Sequence, residues 1–97
     1  MKAVVSPLAL GELHDAAAFY ALKANLELGL ALVTEFERTV NFILDNPLLG
    51  ALFRGNRRRY FLRRFPYSII YQVTAEELRI LAVAHHRRYP GYWAQRK

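Results

Sequence analysis

Residues 78–85 read Leu78-Arg79-Ile80-Leu81-Ala82-Val83-Ala84-His85. A strand with one wet face alternates apolar and polar side chains. From Ile80 to Ala84 no such alternation exists, and apolar side chains fall on both parities. The stretch therefore predicts a strand covered on both sides, which places it in the interior of a sheet. Upstream, Tyr67-Ser68-Ile69-Ile70-Tyr71-Gln72-Val73-Thr74 is rich in β-branched and aromatic residues and predicts a second strand. The short turn Ala75-Glu76-Glu77 makes the two antiparallel. Arg57 to Arg64 reads as a third, basic and extended segment that turns at Phe65-Pro66.

The first half has a different period. Lys2 to Val5 is a short strand, and Ser6-Pro7 is a helix start, with a capping hydroxyl and a proline where no N–H is needed. Leu10, Leu13, Ala17 and Tyr20 then recur at helical spacing, with Glu12, Asp15 and Lys23 opposite. The helix is expected to fade at Ala24-Asn25. Val33, Phe36, Val40 and Ile43 mark a second helix, widened by Leu32 and Leu44, with Glu35 and Arg38 expected outside. Asn46-Pro47 ends it. With almost no linker between them, the helices form an antiparallel hairpin, and Gly29 would let them approach closely. Leu48 to Asn56 is read as a connection. The predicted order is β-α-α-β-β-β: an α+β, single two-layer domain over residues 1–97, with the helix hairpin packed on a mainly antiparallel sheet.

A chain of 97 residues is one domain, and 54% hydrophobic content is that of a globule. There is no cysteine, so neither a disulfide framework nor a thiolate metal site can form. No segment approaches the ~20 apolar residues of a membrane span, and a cytoplasmic protein is expected. Charge is unevenly spread. Residues 1–50 carry Lys2, Lys23 and Arg38 against Glu12, Asp15, Glu27, Glu35, Glu37 and Asp45, a balance of −3. Residues 51–97 carry eleven basic side chains against only Glu76 and Glu77, a balance of +9. Eleven of the fourteen basic residues are arginine, which suits bidentate recognition of carboxylate or phosphate and points to an acidic partner.

The chemistry-bearing residues collect at the end of the last strand, in "LAVAHHRRYPGYWAQRK" (81–97). Arg63 and Arg64, before the Phe65-Pro66 turn, and Arg87 and Arg88, after the last strand, are expected to converge at one end of adjacent strands. His85 would continue the strand and His86 would face the other way. Tyr67 and Tyr71 share a face with Ile69 and Val73 and are expected in the core. Trp93 is either an interface anchor or a lid over the helix hairpin. Arg57, Arg58 and Arg59 read as a solvated face or an edge guard. A zinc site from His14, His85 and His86 would have to join a helix to a strand end without cysteine and is not expected, no phosphate loop is visible, and no other metal or cofactor is expected.

Four pieces in order, "SPLALGELHDAAAFY", "ILDNPLLG", "RRYFLRRFPYSIIYQV" and "LRILAVAHHRRYPGYW", resemble the RelE/ParE superfamily of toxins from type II toxin–antitoxin modules, over essentially the whole chain. The resemblance implies a small α+β toxin neutralised by a cognate antitoxin in a hetero-oligomer. Its branches imply different targets. RelE-like members cleave messenger RNA on the ribosome, and ParE-like members poison DNA gyrase. Aligned on the Tyr67–Val73 strand, Arg63, Arg87 and Tyr92 fall near the residues a RelE-like ribonuclease uses, and His85 and His86 would add titrating groups. The lysine pair of that branch is absent, with Arg57, Arg58 and Arg59 there instead, and arginine does not give up a proton at neutral pH. The ending His-His-Arg-Arg with Tyr92-Trp93 resembles the ParE, or plasmid stabilisation, branch. That branch implies binding to antitoxin and target through Arg63, Arg64, Arg87, Arg88, Tyr92 and Trp93, with no catalytic residue assigned.

Overall fold

The structure is a computed structural model describing residues 1–97. Strand β1 (Lys2–Val5) is followed by helices α1 (Pro7–Lys23) and α2 (Leu26–Asp45) and by strands β2 (Ala51–Leu52), β3 (Arg57–Phe61), β4 (Tyr67–Val73) and β5 (Glu77–His85). The one element the sequence did not announce is β2. Its two residues pair with Arg58 and Arg59 inside the connection that runs from Leu48 to Asn56. The basic segment also stops being a strand at Phe61, and Leu62 to Pro66 is the turn. Within that turn Leu62 and Phe65 point into the core.

The sheet order is β1-β5-β4-β3-β2, parallel only between β1 and β5. β5 thus has a partner on each edge, as its composition requires. It also carries a bulge. Ile70 pairs with Ala82 and Tyr71 with Ile80, leaving Leu81 unopposed on β5. The extra residue swings Leu81 and Ala82 to the same side. Ile80 and Val83 therefore join the core beneath the helices, and Leu81, Ala82 and Ala84 form a second apolar cluster on the far face.

Both helices begin with side-chain caps. Ser6 Oγ accepts the Ala9 N–H at 3.1 Å, and Asn25 Oδ1 accepts the Leu28 N–H at 2.8 Å. The buried stripe of α1 is Ala9, Leu13 and Ala16, a small rotation from the sequence reading that leaves Leu10 exposed. At Gly29 a Cβ would lie 2.6 Å from the Ala17 carbonyl oxygen, so only glycine lets the helices meet there. Tyr71 is fully buried. Its hydroxyl accepts the Gly50 N–H at 2.7 Å and donates to the Pro47 carbonyl at 2.9 Å, fastening the chain that leaves α2 to the middle of the sheet.

Two carboxylates depart from the helix-surface expectation. Glu35 is only 8% exposed and accepts the Arg63 and Arg64 backbone N–H groups, at 2.7 and 3.2 Å. Glu12 is half-buried and bonds to β5 and to the C-terminal turn. The backbone donors of the β3–β4 turn have no ladder partner, and Glu35 satisfies two of them at once. Glu35→Ala should therefore cost about 1–3 kcal/mol of unfolding free energy in urea titration, from two donors left without an acceptor. Glu37→Ala, on the exposed side of the same helix, should change it by less than about 0.5 kcal/mol.

Candidate functional site

The end of the sheet where β3 turns into β4 is also where β5 runs out. Tyr67 pairs with His85, and the His86 N–H donates to the Pro66 carbonyl at 2.9 Å. This bond brings the two arginine pairs to one end of the sheet, Arg63 and Arg64 in the β3–β4 turn, Arg87 and Arg88 just past β5. All four side chains are exposed, and none has a carboxylate within ion-pair distance. The expected convergence is thus present, as a patch of free guanidinium groups.

The two histidines face opposite sides, as expected. His85 packs edge-on against Tyr67, with ring centres 4.9 Å apart, and its Nδ1 accepts the Arg87 N–H at 3.0 Å. His86 is exposed and packs edge-on against Phe61 at 5.1 Å. His14 is exposed on α1, and no three His, Asp or Glu side chains are gathered as a metal site.

Trp93 and Tyr92 are placed differently from the sequence reading. Trp93 is 2% exposed and does fold back as a lid, but over the sheet face away from the helices. It covers Ile70, Leu81, Ala82 and Ala84, and its ring lies 5.6 Å from that of Phe53. An anchor this deeply buried in its own chain offers little surface to a partner. The Tyr92 hydroxyl donates to Glu12 Oε2 at 2.5 Å. Burial, and then that hydrogen bond to the carboxylate, push the phenol well above its ordinary value. A hydroxyl already committed in this way is not free to pass its proton to a leaving group.

Glu12 is the hub of this arrangement. It also accepts the Val83 N–H at 3.0 Å and the Arg96 guanidinium at 2.9 Å. Arg96 reaches the Leu81 carbonyl at 3.1 Å, next to the bulge, while its own carbonyl accepts from the Arg57 guanidinium at 2.8 Å. The Arg57 Nε–H is buried without a partner. Sequence reasoning missed Glu12, Arg96 and Arg57 in these roles. A signal did exist for Glu12, which is three residues after Ala9 and four before Ala16 and so borders the buried stripe of α1.

With this geometry in hand, comparison with known proteins decides the family. A family model described as the ParE toxin of the type II toxin–antitoxin system parDE matches residues 3–90. The chain belongs to the ParE toxin family. No curated protein matches it in sequence. Among solved structures it is similar to a chain from a chromosomal ParDE toxin–antitoxin system of P. aeruginosa. The TM-score is 0.77 at 22% identity, covering 88% of this chain and 95% of that one. At such identity the likeness speaks for the fold. The ParE family match includes both arginine pairs and stops just before Tyr92, Trp93 and Arg96, the residues that clamp the far face of the sheet. No helix is long and apolar enough to cross a membrane.

Burial raises the phenol pKa of Tyr67 and Tyr71 as well as that of Tyr92. In the unfolded chain these groups ionise near their ordinary value of 10.0. Above that pH the unfolded state has released protons that the folded state retains, so stability falls as pH rises. Below it both states are protonated and the three groups contribute no slope. Urea midpoints measured from about pH 8 to 11 should be flat as far as these groups are concerned and then decline, with a shallower decline in Tyr92→Phe. An unchanged slope in that variant would show that the Tyr92 phenol is not held as described.

Proposed function

We propose that this chain is the toxin of a type II toxin–antitoxin module, that it disables DNA gyrase by protein–protein contact in the cytoplasm, and that a cognate antitoxin neutralises it in a hetero-oligomer. The observation that carries the reading is the ParE family match across residues 3–90. Two features of the site agree with contact rather than catalysis. Arg63, Arg64, Arg87 and Arg88 form an exposed patch without carboxylate partners, suited to an acidic surface. The RelE-like alternative needs Tyr92 as a proton donor and a lysine or histidine base. Here Tyr92 is bonded to Glu12, no lysine lines the cavities beside it, and His85 Nδ1 is engaged by backbone.

The antitoxin would contribute a segment with carboxylates for the arginine patch and apolar side chains for the helix hairpin. The hairpin leaves Leu22, Leu26 and Leu30 exposed around its turn, while Leu28 packs against the core. A disordered acidic segment of this kind folds on binding.

The deciding experiment runs a gyrase supercoiling assay with antitoxin-free protein beside a ribosome-dependent messenger cleavage assay. Inhibited supercoiling with intact message is expected. Codon-phased cuts with normal gyrase would replace this reading by the ribonuclease one. Antitoxin affinity should fall as salt is raised, and Arg63→Glu or Arg87→Glu should weaken it by about 1–3 kcal/mol at low salt in calorimetric titration. Affinity unmoved by salt and by both reversals would place the antitoxin elsewhere.

A further inference from the structure

The sheet face away from the helices holds a cavity that shares only Arg88 with the proposed protein contacts. β3 presents Arg59 and Phe61 to it, β4 presents Ser68, and His86 follows the end of β5. The turn after β5 returns over them with Arg88 and Tyr89. The cavity is open on one side and has a volume of about 120 Å³.

Its two cations are fixed by rings rather than by carboxylates. The Arg59 guanidinium carbon lies 4.1 Å from the centre of Phe53 and 4.8 Å from that of Phe61, and Arg88 lies 4.0 Å over Tyr92. Neither guanidinium has an ion-pair partner, as the two salt bridges of the chain involve Arg79 and Arg96. Stacking on aromatic rings holds a guanidinium in place while leaving its in-plane N–H donors for a ligand. Ser68 is 2% exposed, yet its hydroxyl has no partner within the chain and is not among the sealed unpaired atoms, and the residue lines this cavity.

We propose that this cavity binds the terminal phosphoryl group of a nucleotide. Two held guanidiniums, a hydroxyl and an imidazole surround the space. A phosphate monoester offers three oxygens and up to two charges to such a set, whereas an internal phosphodiester offers two oxygens and one charge. The volume accommodates the phosphoryl group and leaves the base outside. There the rim supplies Tyr89, 78% exposed, and Phe61, 53% exposed, as stacking surfaces for a base. The site shares Arg88 with the arginine patch but does not rest on the gyrase reading, and its test involves neither gyrase nor antitoxin.

Trp93 also lines the cavity and is the only tryptophan of the chain, so its fluorescence reports occupancy. The purified protein is titrated with adenosine monophosphate, adenosine, inorganic phosphate, and a single-stranded oligonucleotide lacking terminal phosphates. Adenosine monophosphate should give a saturable change, with each of the other three at least about tenfold weaker. Arg59→Gln and Ser68→Ala should each weaken it by about tenfold. The second variant removes one oxygen from the core and leaves its packing in place, so it remains informative even where Arg59→Gln fails to fold. Arg79→Gln, on the same face but paired with Glu77 at 3.0 Å, should stay within about twofold of the parent. Adenosine or the unphosphorylated oligonucleotide binding as tightly as the monophosphate overturns the proposal. So does equal affinity of inorganic phosphate, or an unchanged affinity in Ser68→Ala.

Discussion

Strand β5 has to be covered on both sides, and most of the molecule can be understood as the way a short chain meets that demand. The helix hairpin covers one face. No third helix exists for the other, which is closed by the turn after β5, with Trp93 as its fully buried plug and Tyr92 and Phe53 packed beside it. Closing a sheet with so short a segment works only if the segment is held down, because a few buried side chains barely offset the entropy of ordering it. The holding group is a carboxylate from the opposite layer. Glu12 on α1 reaches past the edge of β5 to take the Val83 N–H, the Tyr92 hydroxyl and the Arg96 guanidinium together. The two layers and the tail are thereby joined at one side chain. The bulge at Leu81 belongs to the same solution, since it turns two successive residues toward Trp93 and frees the Leu81 carbonyl for Arg96.

The same economy shapes the electrostatics. Glu12 and Glu35 are two of the six acidic residues of the first half, and both are spent inside the fold. Of the eleven basic residues in the second half, only Arg79 and Arg96 have a carboxylate partner. Arg57 and Arg58 donate instead to backbone carbonyls, with the Arg57 Nε–H left over. What remains outward is a set of guanidiniums without carboxylate partners, of which Arg59, Arg64 and Arg88 lie over aromatic rings that do not neutralise them. Such a surface has a strong field and little competition for incoming anions, the condition under which charged partners are steered and held.

Much of the fold was legible because its signals were local. The uninterrupted apolar run of residues 80–84 gave a covered strand, Ser6-Pro7 and Asn46-Pro47 gave helix limits, and Gly29 marked the close helix crossing. The strand β2 left no trace because two residues carry no period, and its pairing with Arg58 and Arg59 is a property of the finished sheet. Glu12 and Glu35 were assigned to the surface because charge outweighed spacing in the reading. Glu35 is three residues after Leu32 and eight before Ile43, so helical geometry alone places it on the buried side. A carboxylate at such a position is a sign that backbone donors await it elsewhere in the chain. The arginine pairs were legible for the same local reason as the strands, since the turn that separates β3 from β4 and the end of β5 must lie together once the hairpin is antiparallel.

Trp93 was legible as a lid but not as to which face it covers, and that difference bears on function. A tryptophan over the helix hairpin would have left the far side of the sheet open and apolar. Over the far face, it converts that surface into the floor of a small basic cavity and leaves the hairpin's leucines uncovered. The molecule therefore presents two surfaces of opposite character. The helical side is apolar around Leu22, Leu26 and Leu30, and the sheet side is cationic around Arg59 and Arg88. The end of the sheet where Arg63, Arg64, Arg87 and Arg88 stand carries the same uncompensated charge, so an acidic segment running by that end meets guanidiniums that no carboxylate of the chain neutralises.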